Sequence, residues 1–290
     1  MKKVIGILAI AALTLTMFTG CGAADNGEFN AEKEISVVSR EDGSGTRGAF
    51  IELFAIEQKS EDGSRKDLTT KEAIIAKQTD VMMTNIAGNI YSIGYISLGS
   101  LNDSVKALQI EGVTPTTENV KNGSYPVSRP FNIATKGEPT ELAKDFIDFI
   151  LTSDGQAIVS GSYISINDDA FPYSGSKPSG KLVIAGSSSV SPLMEKLIET
   201  YKTLNPNATI ELQTNDSSSG MNGAIDGTCD IGMASRELKD SEKAILTNIP
   251  IALDGIAVIV NNGNPLTNLT STQVKSIFTG EAVKWSEVTK

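Results

Sequence analysis

The 290-residue sequence contains no histidine. A serine–histidine–aspartate triad and any histidine-ligated metal centre are thereby excluded. No cysteine cluster or spaced carboxylate set replaces them, while a serine–lysine pair stays open. Cysteine is nearly absent, with only Cys21 and Cys229. Basic charge is in the minority: 25 Lys and Arg against 35 Asp and Glu give a net charge of −10, which argues against a nucleic acid partner. An acidic chain can still bind an anion, because distant charge is screened within a Debye length of ~8 Å while dipoles at a site act at contact. The apolar run from Val4 to about Phe18 is too short and wrongly flanked for a membrane span.

That run follows Met1-Lys2-Lys3 and leads into Thr19-Gly20-Cys21, the pattern of an export signal over residues 1–20. A cysteine directly after small residues resembles a lipoprotein signal, in which the processed chain begins at Cys21 and carries lipid on that thiol. A plain signal peptide with a bystander cysteine is the alternative, and export follows from either. With Cys21 modified, Cys229 has no partner, so no intrachain disulfide is expected. Residues 21–33 are small and polar and read as a flexible tether. The body from Glu34 onward is long enough for one large or two medium domains.

What the chain does have is a concentrated run of hydroxyl, glycine and guanidinium chemistry at Ser39-Arg40-Glu41-Asp42-Gly43-Ser44-Gly45-Thr46-Arg47. The strand-like Ile35-Ser36-Val37-Val38 precedes it, and Ala49, Phe50, Leu53 and Phe54 follow at helical spacing. Gly43 and Gly45 allow consecutive N–H groups to point at one anion at the positive end of the helix. Ser44 and Thr46 add hydroxyl donors, and Arg40 or Arg47 a two-pronged one. An ordinary capped glycine turn is the plainer reading of this motif alone.

Similar chemistry recurs downstream. Lys181–Ala185 runs into Gly186-Ser187-Ser188-Ser189-Val190-Ser191-Pro192, Ile210–Gln213 into Asn215-Asp216-Ser217-Ser218-Ser219-Gly220, and Asp230-Ile-Gly-Met-Ala-Ser235 into Arg236. Alternating elements argue for an α/β fold with largely parallel sheets. Strands are expected at 35–39, 93–97, 105–110, 129–134, 181–185, 208–213, 230–234 and 251–260. Helices are expected at 46–55, 70–77, 140–151, 190–203, 218–226 and 270–278. The loop Tyr173–Gly180 divides the chain into two unlike halves. In open α/β sheets ligands gather at the carboxyl ends of strands, so the four loops can converge on one oxyanion crevice.

Together, these segments resemble the phosphate-binding proteins (PstS family) of bacterial Pst-type ABC importers. Ala252–Val260, Ile277-Phe-Thr-Gly280 with Trp285, and Asp145–Leu151 extend the resemblance over nearly the whole mature chain. The resemblance implies a two-lobed, type II periplasmic-binding-protein-like fold, each lobe a mixed sheet flanked by helices, with ligand in the cleft. One lobe would be 127–260; the other would combine 34–126 with 261–290, with crossings near Arg129-Pro130 and Val260-Asn261 acting as a hinge. It implies phosphate contacts from Arg40, Ser44, Gly45 and Thr46 on one wall and from Ser188, Ser189, Ser217 and Ser235 on the other. Asp42 would brace Arg40. Where the best-known members place an aspartate after the last of these serines, this chain has Arg236. Arg236 either pairs with the anion or points away, leaving Asp254 or Asp216 as alternative proton acceptors. Family members usually begin with the loop found here at Ala185-Gly186, so the chain resembles a circular permutation of the usual order.

The function implied is a monomeric receptor, lipid-anchored to the outer face of the cytoplasmic membrane, that captures inorganic phosphate for the membrane permease of an ABC importer. No enzyme chemistry, cofactor or metal is implied. Sulfate, molybdate or tungstate are the alternative ligands, because Arg236 removes the usual proton acceptor. A ligand-free adhesion or signalling lipoprotein is the remaining class.

Overall fold

The computed structural model describes residues 28–59 and 65–288. The export signal, Cys21 and the tether up to residue 27 lie outside the described residues. Residues 28–31, read as tether, instead pack: the Phe29 ring lies 5.5 Å from Tyr91 and 5.8 Å from Trp285.

Eight strands form one continuous path, in the order Ala208–Asn215, Gly180–Ser187, Ile231–Ala234, Ser128–Lys136, Leu246–Val260, Ser92–Ser97, Ser36–Arg40 and Ile74–Ala76. The outer neighbours pair in parallel, while the three junctions around Ser128–Lys136 and Leu246–Val260 are antiparallel. Leu246–Val260 belongs to both halves. Its first part pairs with Ser128–Lys136 up to Gly255↔Ser128, and Ile256–Val260 pairs with Ser92–Ser97.

Two principal apolar cores follow from this division. Phe50, Tyr95, Phe278 and Trp285 anchor the first, with the Phe50 and Tyr95 rings stacked at 3.8 Å. Phe131, Phe146, Phe149 and Tyr201 anchor the second. Ile256–Val260 are fully buried in the first core, so the packing changes lobe at Gly255-Ile256 and not at the expected Val260-Asn261. An unbroken apolar run suits a strand covered on both faces, which is why this segment serves as a central strand of the first lobe.

Helices Gly45–Leu53, Glu141–Leu151, Ser191–Leu204, Ser217–Asp226 and Ser271–Thr279 lie close to their expected positions. The expected helix at 70–77 does not form. Ile74–Ala76 is an edge strand parallel to Ser36–Arg40, and a helix that periodicity missed runs from Thr79 to Ala87. β-Branched Ile74 and Ile75 favour the pleated edge, so the helix begins only after Gln78. Residues 105–110 form two short strands, Lys106–Ala107 and Gln109–Ile110, which pair with different partners. The strand read as 251–260 starts at Leu246, and its register shifts between Pro250 and Ala252, where proline cannot supply a ladder N–H.

Candidate oxyanion-binding site

Arg40 is the last residue of its strand, and its side chain is only 2% exposed. Tyr95 fixes the backbone there: its hydroxyl accepts the Arg40 N–H at 3.1 Å and lies 2.9 Å from Ser39 Oγ. Burial pushes the Tyr95 hydroxyl pKa up, so it remains a neutral donor and acceptor. The Arg40 guanidinium crosses the cleft, donating from Nη2 to Ser188 Oγ at 3.0 Å, with Thr79 Oγ1 3.5 Å from Nη1. Thr79 and Ser188 hydroxyls lie 3.4 Å apart. Beside them opens a cleft of about 380 Å³ lined also by Ser100, Ser191 and Thr214. A depression of about 540 Å³ near Pro265, Thr270 and Gln273 shares none of these residues.

The glycine loop forms the cap of the helix Gly45–Leu53, where Ser44 Oγ accepts the Arg47 N–H at 3.3 Å. Thr46 Oγ1 meets Ser189 Oγ at 2.8 Å, from the opposite lobe. On that side Ser187, Ser217 and Ser235 form a connected set: Ser187 donates to Ser235 Oγ at 2.9 Å, and the Ser235 N–H donates to Ser217 Oγ at 3.1 Å. The set depends on a close helix–strand approach, since a Cβ at Gly220 would come 2.6 Å from Gly186 Cα. Ser218 N–H donates to the Gly43 carbonyl at 3.2 Å, so the two walls also touch through backbone. Arg40, Ser44, Thr46, Ser188, Ser189, Ser217 and Ser235 are all buried, and they converge as four strand-end loops.

The supporting residues are placed differently from expectation. Glu41, not Asp42, braces Arg40, through contacts of 2.8 Å from Nε and 2.7 Å from Nη2. Asp42 is almost fully exposed and pairs with Arg47 at 3.0 Å. Arg47 turns away from the cleft, donating to the Arg40 carbonyl at 2.7 Å and to Asp67 at 2.8 Å. Arg236 is chelated by Glu242, with both contacts at 2.8 Å. Burial alone would raise the Glu242 pKa, but hydrogen bonds from Arg236 and the Lys239 N–H hold it below its usual range. Asp216 caps the helix Ser217–Asp226, accepting from Ser219 N–H at 2.9 Å and Ser219 Oγ at 2.6 Å. Asp254 is buried against Arg129 at 3.2 Å and accepts the Gly99 N–H at 3.3 Å. Thr79 is the contributor that sequence reading missed. No glycine or serine run marks Gln78-Thr79-Asp80.

Residues 24–154 and 172–290 match the family model described as PBP superfamily domain. The chain is 48% identical over 293 residues to phosphate-binding protein PstS 2 of Streptococcus agalactiae, covering 99% of each chain. It is 43% identical over 287 residues to PstS 2 of Streptococcus pneumoniae, covering 97% of this chain and 98% of that one. A crystal structure of a phosphate-binding protein of a phosphate ABC transporter from Streptococcus pneumoniae superposes with a TM-score of 0.70 at 44% identity, over 88% of this chain and 99% of that one. With strand-end hydroxyls and a buried arginine set across a two-lobed cleft, and with relatives matching from end to end, the chain belongs to the PstS family of phosphate-binding proteins within the PBP superfamily.

Proposed function

We propose that this protein captures inorganic phosphate outside the cytoplasm and delivers it to the membrane permease of an ABC importer. The observation that carries the proposal is Arg40: a buried guanidinium joined across the cleft to Ser188 and flanked by Thr79. Around it, Ser44, Gly45 and Thr46 on one wall and Ser189, Ser217 and Ser235 on the other supply the remaining donors. Charged hydrogen bonds contribute about 1.5–3 kcal/mol each. The protein binds without chemistry, and the lobes close on the anion about the strands that cross near Arg129 and Gly255. Lipid on Cys21 holds the monomer at the outer face of the membrane.

Arg40→Ala is expected to weaken phosphate binding by at least about 100-fold in calorimetry, as losing two charged hydrogen bonds requires, with native circular dichroism. Undiminished affinity would overturn the assignment. Because Ser235 is followed by Arg236 and not by a carboxylate, a second oxyanion is the competing ligand, and titration of sulfate, molybdate and tungstate against phosphate separates the two readings.

We infer that the segment order is a circular permutation of the order in family members that begin with the loop found here at Ala185-Gly186. Rejoining the segments in that order requires the two ends of the described chain to be neighbours, and they are: Glu34 bridges Lys284, and Ser286 N–H donates to the Ala31 carbonyl at 2.7 Å.

A further inference from the structure

We propose that Arg236 is a latch for the closed lobes: it holds them together around the bound anion through its methylene stem, and its charge does not act on the ligand. The inference rests on the phosphate-binding reading and gives a positioning role to the residue that follows Ser235.

The guanidinium is committed within its own lobe. Nη1 donates to Glu242 Oε2 at 2.8 Å and to the Glu237 carbonyl at 3.0 Å. Nη2 donates to Glu242 Oε1 at 2.8 Å and to Ser218 Oγ at 3.4 Å. Each terminal nitrogen carries two N–H groups, so partners among the described residues account for all four. Glu242 also balances the positive charge. The backbone is fixed as well, because Asn132 Nδ2 donates to the Arg236 carbonyl at 2.8 Å.

The stem faces the other lobe. Gly45 and Gly48 stand three residues apart on the helix Gly45–Leu53, which packs into the first core through Phe50, and so they share a face. A Cβ on Gly45 would come 3.1 Å from Arg236 Cγ, and one on Gly48 would come 3.8 Å from Arg236 Cδ. Two successive methylenes therefore lie along two bare glycines, and the Arg236 side chain is only 11% exposed. The Ser218 N–H crosses to the Gly43 carbonyl at the same junction. Opening the lobes returns the stem to water but leaves every polar contact of the guanidinium in place. A stem already fixed by Glu242 and Asn132 also loses little rotamer freedom on closure. Contacts that exist only in the closed state slow release and leave capture nearly unchanged.

The test is phosphate binding by the full chain, with affinity from calorimetry and rates from stopped flow. Removing Arg236 by itself strands the Glu242 carboxylate, so both variants also carry Glu242→Gln. Arg236→Met with Glu242→Gln keeps an unbranched stem without charge and is expected to bind within about twofold of wild type. Arg236→Ala with Glu242→Gln lacks the stem and is expected to bind about threefold to tenfold more weakly, through faster dissociation at an unchanged association rate. Equal loss in both pairs means that the charge acts on the ligand. No loss in either, or loss through slower association, means that the lobes close without the stem. Each of these outcomes overturns the proposal and leaves the phosphate reading intact, whereas absence of phosphate binding by wild type overturns both.

Discussion

At the scale of single residues, the walls meet closely at Gly45. A Cβ there would overlap Ser217 Oγ and come 2.8 Å from Ser235 Oγ. The constraint is space across the cleft, since Gly45 is the first residue of its helix and its backbone is not in the left-handed region that would itself require glycine. Gly45→Ala is therefore expected to leave the melting temperature of the ligand-free protein unchanged or higher while weakening phosphate at least about tenfold by propping the walls apart. Calorimetry beside thermal melts checks this, and unchanged affinity would show that binding does not need the contact. The hydroxyls at Ser44, Thr46, Ser188, Ser189, Ser217 and Ser235 were legible in sequence because each follows a strand and opens a helix or turn. The brace was not. The resemblance assigns it to Asp42, but the strand ends at Arg40 and the turn that follows brings Glu41 round to the guanidinium.

At the scale of elements, the crossing of Ser128–Lys136 and Leu246–Val260 carries a buried ion pair, with Arg129 opposite Asp254 in the ladder. Burial pushes the Asp254 pKa up to about 6, with Arg129 pulling against it. A carboxyl that holds its proton more tightly folded than unfolded adds stability that is fully present below pH ~4 and lost as pH rises through about 6. Asp254→Asn alone leaves a buried guanidinium without its counter-charge and is expected to cost about 3–5 kcal/mol, whereas Arg129→Met combined with Asp254→Leu costs less. Denaturant titrations between pH 4 and 7 should show the wild-type decline absent from the double variant. A wild-type profile parallel to that of the double variant would remove Asp254 as its source. The same crossing shows where sequence reading stopped. Pro250 hid the start of the long strand, and Ile256–Val260, legible as apolar, gave no sign of which lobe would bury them, because that depends on pairing with the distant Ser92–Ser97.

At the scale of the whole molecule, connectivity can be separated from architecture. Ile35 N–H donates to the Val283 carbonyl at 2.7 Å, next to the Glu34–Lys284 bridge, so the beginning and end of the body already share an edge. A short linker there closes a small gap, and loop-closure entropy grows only slowly with linker length. The segment to be opened, Tyr173–Pro178, lies outside regular structure and is held from its flanks: Tyr173 Oη and the Ser176 N–H donate to Asp145 at 2.5 and 2.9 Å, and Asn205 Nδ2 donates to the Pro178 carbonyl at 2.9 Å. Cutting between Lys177 and Pro178 preserves these contacts on the two new ends. A chain joined by a short linker from residue 288 to residue 28 and opened at that bond is therefore expected to fold with native circular dichroism and to bind phosphate within a few-fold of wild type, because both cores, Phe29 included, and all four strand-end loops are untouched. If this re-ordered chain folds but no longer binds, the loop 173–178 helps hold the lobes in register. If it fails to fold, the present order is needed to assemble the long shared strand.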